Sequence, residues 1–112
     1  MRNKRKVKQG MFYFIKQLIG DSPVYKYGVT SNPKNRFRQL KAELGDFEVL
    51  ETFFVRDMFW FESRFKFYGG GGILALVGEY LEFHEGKNMI TLNNVYIWIE
   101  ACRLKHQYEE SK

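Results

Sequence analysis

The chain has 112 residues, of which 45% are hydrophobic and 28% are charged, and this composition predicts one folded domain and excludes a disordered chain. No apolar run approaches the roughly 18 residues that span a bilayer, and the basic first residues have no apolar segment behind them, so we expect neither a membrane span nor a secretory signal. Cys102 is the single cysteine, which excludes internal disulfides and multi-cysteine zinc sites and indicates a reducing compartment.

Positive charge is concentrated in two parts of the chain. The net charge is +5, and five of the 18 basic residues lie in the first eight positions, so basic and acidic residues balance in the remainder. A basic arm on a neutral body is typical of a protein that binds a polyanion, although a solubilising tail has the same composition. A second basic stretch, residues 22–42, contains five basic residues and no acidic one. This stretch predicts a surface that faces phosphate groups.

The first two elements are predicted to be an antiparallel hairpin. Residues 11–17 and 24–30 are rich in aromatic and β-branched side chains, and residues 20–23 between them are turn formers. Alternation along the strands places Tyr13 on one face of the first strand and Lys26 on one face of the second. The hairpin therefore brings a tyrosine and a lysine close to the basic helix that follows.

The later elements predict an α+β fold. A helix from Pro33 to about Glu43, after an Asn32 cap, is followed by a strand over 47–55, a helix over 58–68 capped by Asp57, a short strand over 78–83 and a helix over 91–108. This order indicates a small central antiparallel three-stranded sheet flanked by helices, with an additional short strand and a C-terminal helix.

Glu62 is the anomalous residue of the second helix. Aromatic residues surround it in the sequence and predict a buried helix, and a carboxylate is seldom buried unless it is paired or binds a metal. An ion pair with Lys66, one helical turn later, would explain it, and so would Mg²⁺, which takes few protein ligands. His84 and His106 lack partners at metal-ligand spacing, so we expect both at the surface.

In this order the features resemble the GIY-YIG nuclease superfamily, most closely its compact phage and bacterial branch with a Lys-x-Gly second motif. The resemblance covers about residues 11–83. Met11-Phe12-Tyr13 stands where the family has Gly-Ile-Tyr, and Lys26-Tyr27-Gly28 where it has Tyr-Ile-Gly. Residues 32–36 match the segment that carries the catalytic arginine, here Arg36, and Glu62 matches the metal-binding glutamate. Residues 78–83 resemble the branch's Gly-Glu-Trp-Phe ending.

The resemblance implies a metal-dependent endonuclease that hydrolyses DNA phosphodiester bonds by nicking or double-strand cleavage. Glu62 would hold a single Mg²⁺ or Mn²⁺, and Arg36 would stabilise the phosphorane. Tyr13 would orient or deprotonate the attacking water. Lys26 would supply the nearby cation that a phenol needs for deprotonation, or would itself contact the phosphate. The expected nucleic-acid contacts are Arg2, Lys4, Arg5, Lys6, Lys8, Thr30, Lys34, Arg38 and Lys66.

The expected organisation is a flexible basic arm over residues 1–9, a single GIY-YIG-like nuclease domain over 10–108 and a tail over 109–112. The protein is expected to act on DNA in the cytoplasm of a bacterium or a phage-infected host. Sequence specificity would come from the basic arm, from a protein partner or from substrate shape, and a homodimer is a further expectation.

Departures from the family pattern support a second interpretation. The first motif lacks its glycine, and Lys66 stands where the branch often has a histidine. Such a chain would be a catalytically impaired GIY-YIG-like module that binds nucleic acid or another protein. A third interpretation rests on the aromatic content of 18%, which would serve a partner or a dimer interface.

Overall fold

The computed structural model describes residues 7–18, 24–65, 73–77, 80–83 and 89–110. In chain order the elements are β1 (Gly10–Gln17), β2 (Val24–Thr30), α1 (Pro33–Leu44), β3 (Phe47–Val55), α2 (Met58–Arg64), β4 (Ile73–Val77), β5 (Tyr80–Phe83), β6 (Met89–Thr91) and α3 (Leu92–Glu110). The strands form one sheet in the order β3-β1-β2-β4-β5-β6, and every neighbouring pair is antiparallel.

The α+β class and the three central strands are as predicted, but the sheet is larger. The sequence predicted one additional strand, which corresponds to β5. The sheet also contains β4 and β6, which were not predicted. β4 reads Ile-Leu-Ala-Leu-Val, a uniform apolar run, and such a run does not distinguish strand from helix by its periodicity. The turn residues 20–23 and the Gly78 and Glu79 of the last predicted strand lie outside the described residues.

Two helix ends also differ from the prediction. α2 ends at Arg64, and Phe65 is its C-cap with φ −94° and ψ 56°, so the helix stops before the predicted Tyr68. Aromatic residues have only middling helix propensity, and the Phe65 ring packs against Phe12 and Tyr27 where the helix ends. α3 continues through Glu110, two residues into the predicted tail.

Strand alternation divides the core into two layers. On one face of the sheet, Tyr13 and Ile15 of β1 pack with Leu40 of α1. On the other face, an apolar cluster joins Phe12 and Phe14 to side chains of α2 and α3. β1 and β2 pair Tyr13 with Gly28 and Ile15 with Lys26, so the predicted tyrosine and lysine share the face that α1 covers.

Both α1 and α2 begin at the end of the sheet where β2 stops. Asn32 caps α1 directly after β2, and its side chain accepts the N–H of Asn35 at 3.1 Å. The N–H of Met58, the first residue of α2, donates to the Lys8 carbonyl at 2.8 Å. Among the described residues, no helix is long and apolar enough to cross a membrane.

Candidate active site

The structure brings Tyr13 and Arg36 into direct contact. Arg36 Nε donates to Tyr13 Oη at 3.1 Å, although the residues lie on different elements, β1 and α1. The short connection between β2 and α1 places Arg36 in the first turn of the helix, where its N–H donates to the Asn32 carbonyl at 3.0 Å. The predicted proximity of the tyrosine and the arginine is therefore confirmed.

Tyr13 is held by packing as well as by this hydrogen bond. Its side chain is only 2% exposed, and its ring meets Phe37 of α1 edge-on with 5.9 Å between ring centroids. The phenol oxygen accepts from Arg36, and no acceptor for the hydroxyl hydrogen is found among the described side chains. A buried hydroxyl normally donates a hydrogen bond, so this one is suited to donate to a ligand or to water.

Lys26 lies on the same face as Tyr13 but is paired with a carboxylate that the sequence did not single out. Lys26 Nζ is 3.6 Å from Glu43 Oε1 near the end of α1, and the side chains are 13% and 51% exposed. The ion pair partly neutralises the cation that was expected beside the tyrosine. Because Glu43 is half exposed, water screens the pair and its strength is modest.

Three of the expected phosphate contacts lie at the end of β2 or on α1. The Thr30 hydroxyl accepts the Asn32 N–H at 3.1 Å, which is an ordinary capping interaction. Arg38 Nη2 donates to Asn35 Oδ1 at 2.7 Å, while the Lys34 side chain is exposed. Lys34 and Arg38 are therefore exposed on the solvent side of the helix, turned about 200° from Arg36.

Glu62 is exposed, so the prediction of a carboxylate buried among aromatic residues is wrong. Trp60 and Phe61 of α2 are buried together with the capping Phe65, while Phe59 and Glu62 remain in solvent. The helix is apolar on one side only, although its many aromatic residues predicted that it is apolar nearly all round. Within the described residues Glu62 has no hydrogen bond or ion pair, and Lys66, its predicted partner, lies outside them.

Glu62 lies on the opposite layer from the other three predicted catalytic residues. No hydrogen bond or ion pair joins it to Tyr13, Lys26 or Arg36 in the described structure. α2 nevertheless packs beside β2, since Phe65 meets Tyr27 edge-on at 4.9 Å. β4 pairs with β2 only over Val24–Lys26, which leaves Gly28 without a described strand beside it on that edge.

A divalent metal bound at Glu62 would have a single carboxylate ligand among the described residues. No group of three or more histidine, cysteine, aspartate or glutamate side chains gathers within the described segments. Mg²⁺ often binds through one or two carboxylates and keeps several waters, and the exposed side chain of Glu62 fits that mode of binding. The donor set does not fit a metal enclosed by protein ligands.

The basic arm falls mostly outside the described residues. Arg2, Lys4, Arg5 and Lys6 are among the residues that the structure does not describe, and so are Lys66 and His84. Lys8 is exposed, and its backbone carbonyl accepts the first N–H of α2. Residue 8 therefore belongs to the folded body and not to the arm.

The prediction that His106 is a surface residue is wrong. His106 is buried, its Nε2 accepts the Asp57 N–H at 3.2 Å, and its ring lies 4.9 Å from the Trp60 ring. Asp57 caps α2 as predicted, with Oδ1 accepting the Trp60 N–H at 3.2 Å. Helical spacing could have predicted that His106 is buried, because His106 continues the buried positions Val95, Ile99 and Cys102 of α3.

A cavity of about 390 Å³ lies between the end of β3 and α3, with Arg56, Arg103 and His106 among its lining residues. It contains none of the four predicted catalytic side chains. The arrangement most suited to chemistry is thus the Arg36–Tyr13 pair, which offers a fixed cation and a hydroxyl to an anionic oxygen.

No family model matches the chain, and comparisons with curated proteins and with solved structures find no significant match.

Proposed function

We propose that the protein is a metal-dependent endonuclease of the GIY-YIG type that hydrolyses DNA phosphodiester bonds in a bacterial or phage-infected cytoplasm. The observation that carries the proposal is the 3.1 Å hydrogen bond from Arg36 Nε to Tyr13 Oη. It joins the two residues that the family resemblance assigns to phosphate and to water. Lys34 and Arg38 on the same helix add positive charge for the DNA backbone.

Arg36 is the residue that the substrate meets first. Its guanidinium is partly exposed, whereas the Tyr13 side chain beneath it is almost completely buried. A phosphate that binds the guanidinium gains two charge-assisted hydrogen bonds when both nitrogens of one edge are used. The fixed positive charge then stabilises the extra negative charge of the pentacovalent transition state.

Tyr13 lies beside the phosphate that Arg36 would bind. Its hydroxyl hydrogen has no acceptor among the described side chains, so the phenol would donate a hydrogen bond to the attacking water and align it with the phosphorus. Lys26 lies on the same face of the sheet as Tyr13, because it pairs with Ile15 of β1. It contributes positive charge to the site when its ion pair with Glu43 breaks.

Glu62 would hold the Mg²⁺ or Mn²⁺ ion. When bound, such an ion stabilises the leaving oxygen as a Lewis acid. Because α2 packs beside β2, one DNA strand would cross β2 to reach Glu62 on one layer and Arg36 on the other.

The test is nicking of supercoiled plasmid by the purified protein with and without Mg²⁺. Arg36→Gln and Glu62→Gln are each expected to lower the metal-dependent rate about 100-fold or more, the usual cost of a lost transition-state contact. Arg64→Gln and Glu48→Gln make the same charge changes at exposed sites away from the pair and should retain activity. Cleavage by both site variants at the wild-type rate contradicts the proposal.

One observation favours a second candidate, a catalytically impaired module that binds nucleic acid. The Lys26–Glu43 ion pair places a carboxylate on α1, about two helical turns after Arg36, and a negative charge there opposes an anionic substrate. This candidate predicts salt-dependent DNA binding with no metal-dependent nicking, and the plasmid assay with a parallel binding titration separates the two.

A further inference from the structure

α3 carries apolar residues on two opposite faces. Val95, Ile99 and Cys102 are buried in the core beneath the sheet, and His106 continues their spacing. A second apolar row consists of Ile97, Ala101, Leu104 and Tyr108, all exposed. We call this row the outer stripe.

The outer stripe lies on the side of α3 away from the core. At about 100° per residue, Ile97 is turned about 200° from Val95, and the later members repeat that offset. A surface helix of a monomer usually presents polar residues there, and a helix that is apolar all round is usually buried all round. Exposed apolar rows of this kind mark protein interfaces.

The spacing of the outer stripe matches a coiled-coil seam. Its residues are alternately four and three positions apart, which is the repeat of a and d positions. Ile97 and Leu104 take the d positions, and Ala101 and Tyr108 take the a positions. The small side chain of Ala101 allows a close approach of two helices at the centre of the seam.

The charges beside the stripe are complementary to those of a second copy. Glu100 occupies a g position and Lys105 an e position, and both are exposed. In a parallel pair each g residue faces the e residue five positions later on the other helix, so Glu100 of one copy meets Lys105 of the other, twice by two-fold symmetry. We propose that the protein forms a parallel homodimer through the outer stripe of α3.

The pairing requires little ordering of the chain. The core face of α3 already fixes the helix against the sheet, so association does not carry the nucleation cost of a short free helix. The Glu100 carboxylate accepts from Arg103 Nη2 at 2.8 Å and Nε at 3.2 Å, so the contact with Lys105 of a second copy must compete with this pair within the helix. A seam of four residues is short, so we expect a dimer that dissociates on dilution.

Analytical ultracentrifugation of the full chain tests the interface. We expect the mass to rise from 13.4 kDa toward twice that value between about 1 µM and 1 mM protein, the range over which a weak dimer forms. Leu104→Glu should remain monomeric throughout. The matched control is Leu18→Glu, since Leu18 and Leu104 are 57% and 55% exposed and Leu18 follows β1 and is not part of α3. A monomeric wild type, or equal loss of dimer in both variants, overturns the proposal.

A charge exchange tests the parallel arrangement. Lys105→Glu places two glutamates opposite each other at both symmetric contacts and should weaken association about tenfold. Adding Glu100→Lys restores opposite charges and should recover most of that loss. Circular dichroism of each variant at low concentration confirms that α3 remains helical. If the double variant associates no better than Lys105→Glu, the parallel pairing is wrong.

Discussion

The phenol ring of Tyr13 lies across Gly28, the residue opposite it on β2. A Cβ atom at Gly28 would lie 2.5 Å from Tyr13 Oη and 2.7 Å from Cζ, closer than atoms approach without displacement. Gly28 has no left-handed backbone requirement, because Gly45 is the glycine with positive φ among the described residues. The glycine of the Lys-x-Gly motif thus makes room for the ring that reaches Arg36.

We predict that Gly28→Ala destabilises the protein and disrupts the Tyr13–Arg36 contact. Overpacking by one methyl group costs about 1–3 kcal/mol, which exceeds the 0.4–1 kcal/mol that alanine gains by restricting the unfolded chain. Urea unfolding of both proteins gives the difference in the free energy of unfolding. In a Tyr13→Leu background the clashing ring atoms are absent, so the same alanine should be neutral or stabilising. An equal loss in both backgrounds would show that the ring is not the cause.

We predict that Glu43→Gln strengthens DNA binding. The substitution removes the carboxylate that lies 3.6 Å from Lys26 Nζ and leaves the ammonium available to phosphate. We expect affinity to rise about twofold to fivefold at low salt and stability to fall by less than about 1 kcal/mol, since the pair is screened. Fluorescence anisotropy with a labelled duplex measures the affinity.

The control for this gain is Glu48→Gln, which removes one negative charge from an exposed position on β3. A general effect of net charge would raise affinity equally in both variants and would contradict a specific role for Lys26. Adding Lys26→Gln to Glu43→Gln should abolish the gain.

The local elements were predictable because their signals are local. The Asn32–Pro33 and Asp57 caps predicted the starts of α1 and α2, and alternation predicted which residues of each strand lie on one face. That Tyr13 and Lys26 share a face follows from the register between β1 and β2. The six-stranded sheet was not predictable in this way, since β4 is a uniform apolar run. The three-residue β6 is too short to show a period.

The site was predicted in part for a similar reason. Tyr13 and Arg36 meet because a tight connection joins β2 to α1, and a sequence shows such a connection. The pairing of Lys26 with Glu43 depends on how α1 lies across the sheet, which no local pattern encodes. Glu62 was assigned to the interior from its aromatic neighbours, but burial depends on the rotational position of each residue around the helix and not on composition.

We predict that the basic arm contributes to DNA binding through charge alone. Removal of residues 1–6 deletes four positive charges and retains Lys8, whose carbonyl holds the start of α2. If the four charges contact phosphates, the slope of log K against log salt should become less steep by up to about 3.6. Replacement of the four basic residues by glutamine in the full chain should have the same effect. Equal slopes for all three proteins would show that the arm does not touch phosphate.

We predict that the Cys102 thiol is unreactive in the folded protein. Burial raises its pKa to about 11 from an ordinary 9.0, and its Sγ lies 3.9 Å from the Arg64 carbonyl. The reactive species is the thiolate, so near pH 8 its population falls about 100-fold and labelling slows by at least that factor. The measurement is the rate of labelling with a disulfide reagent, compared between the native protein and the protein in denaturant. A Leu18→Cys, Cys102→Ala double variant carries its thiol at an exposed position and should react rapidly without unfolding. If the native wild type reacts as fast as that variant, the close packing of α3 against α2 is incorrect.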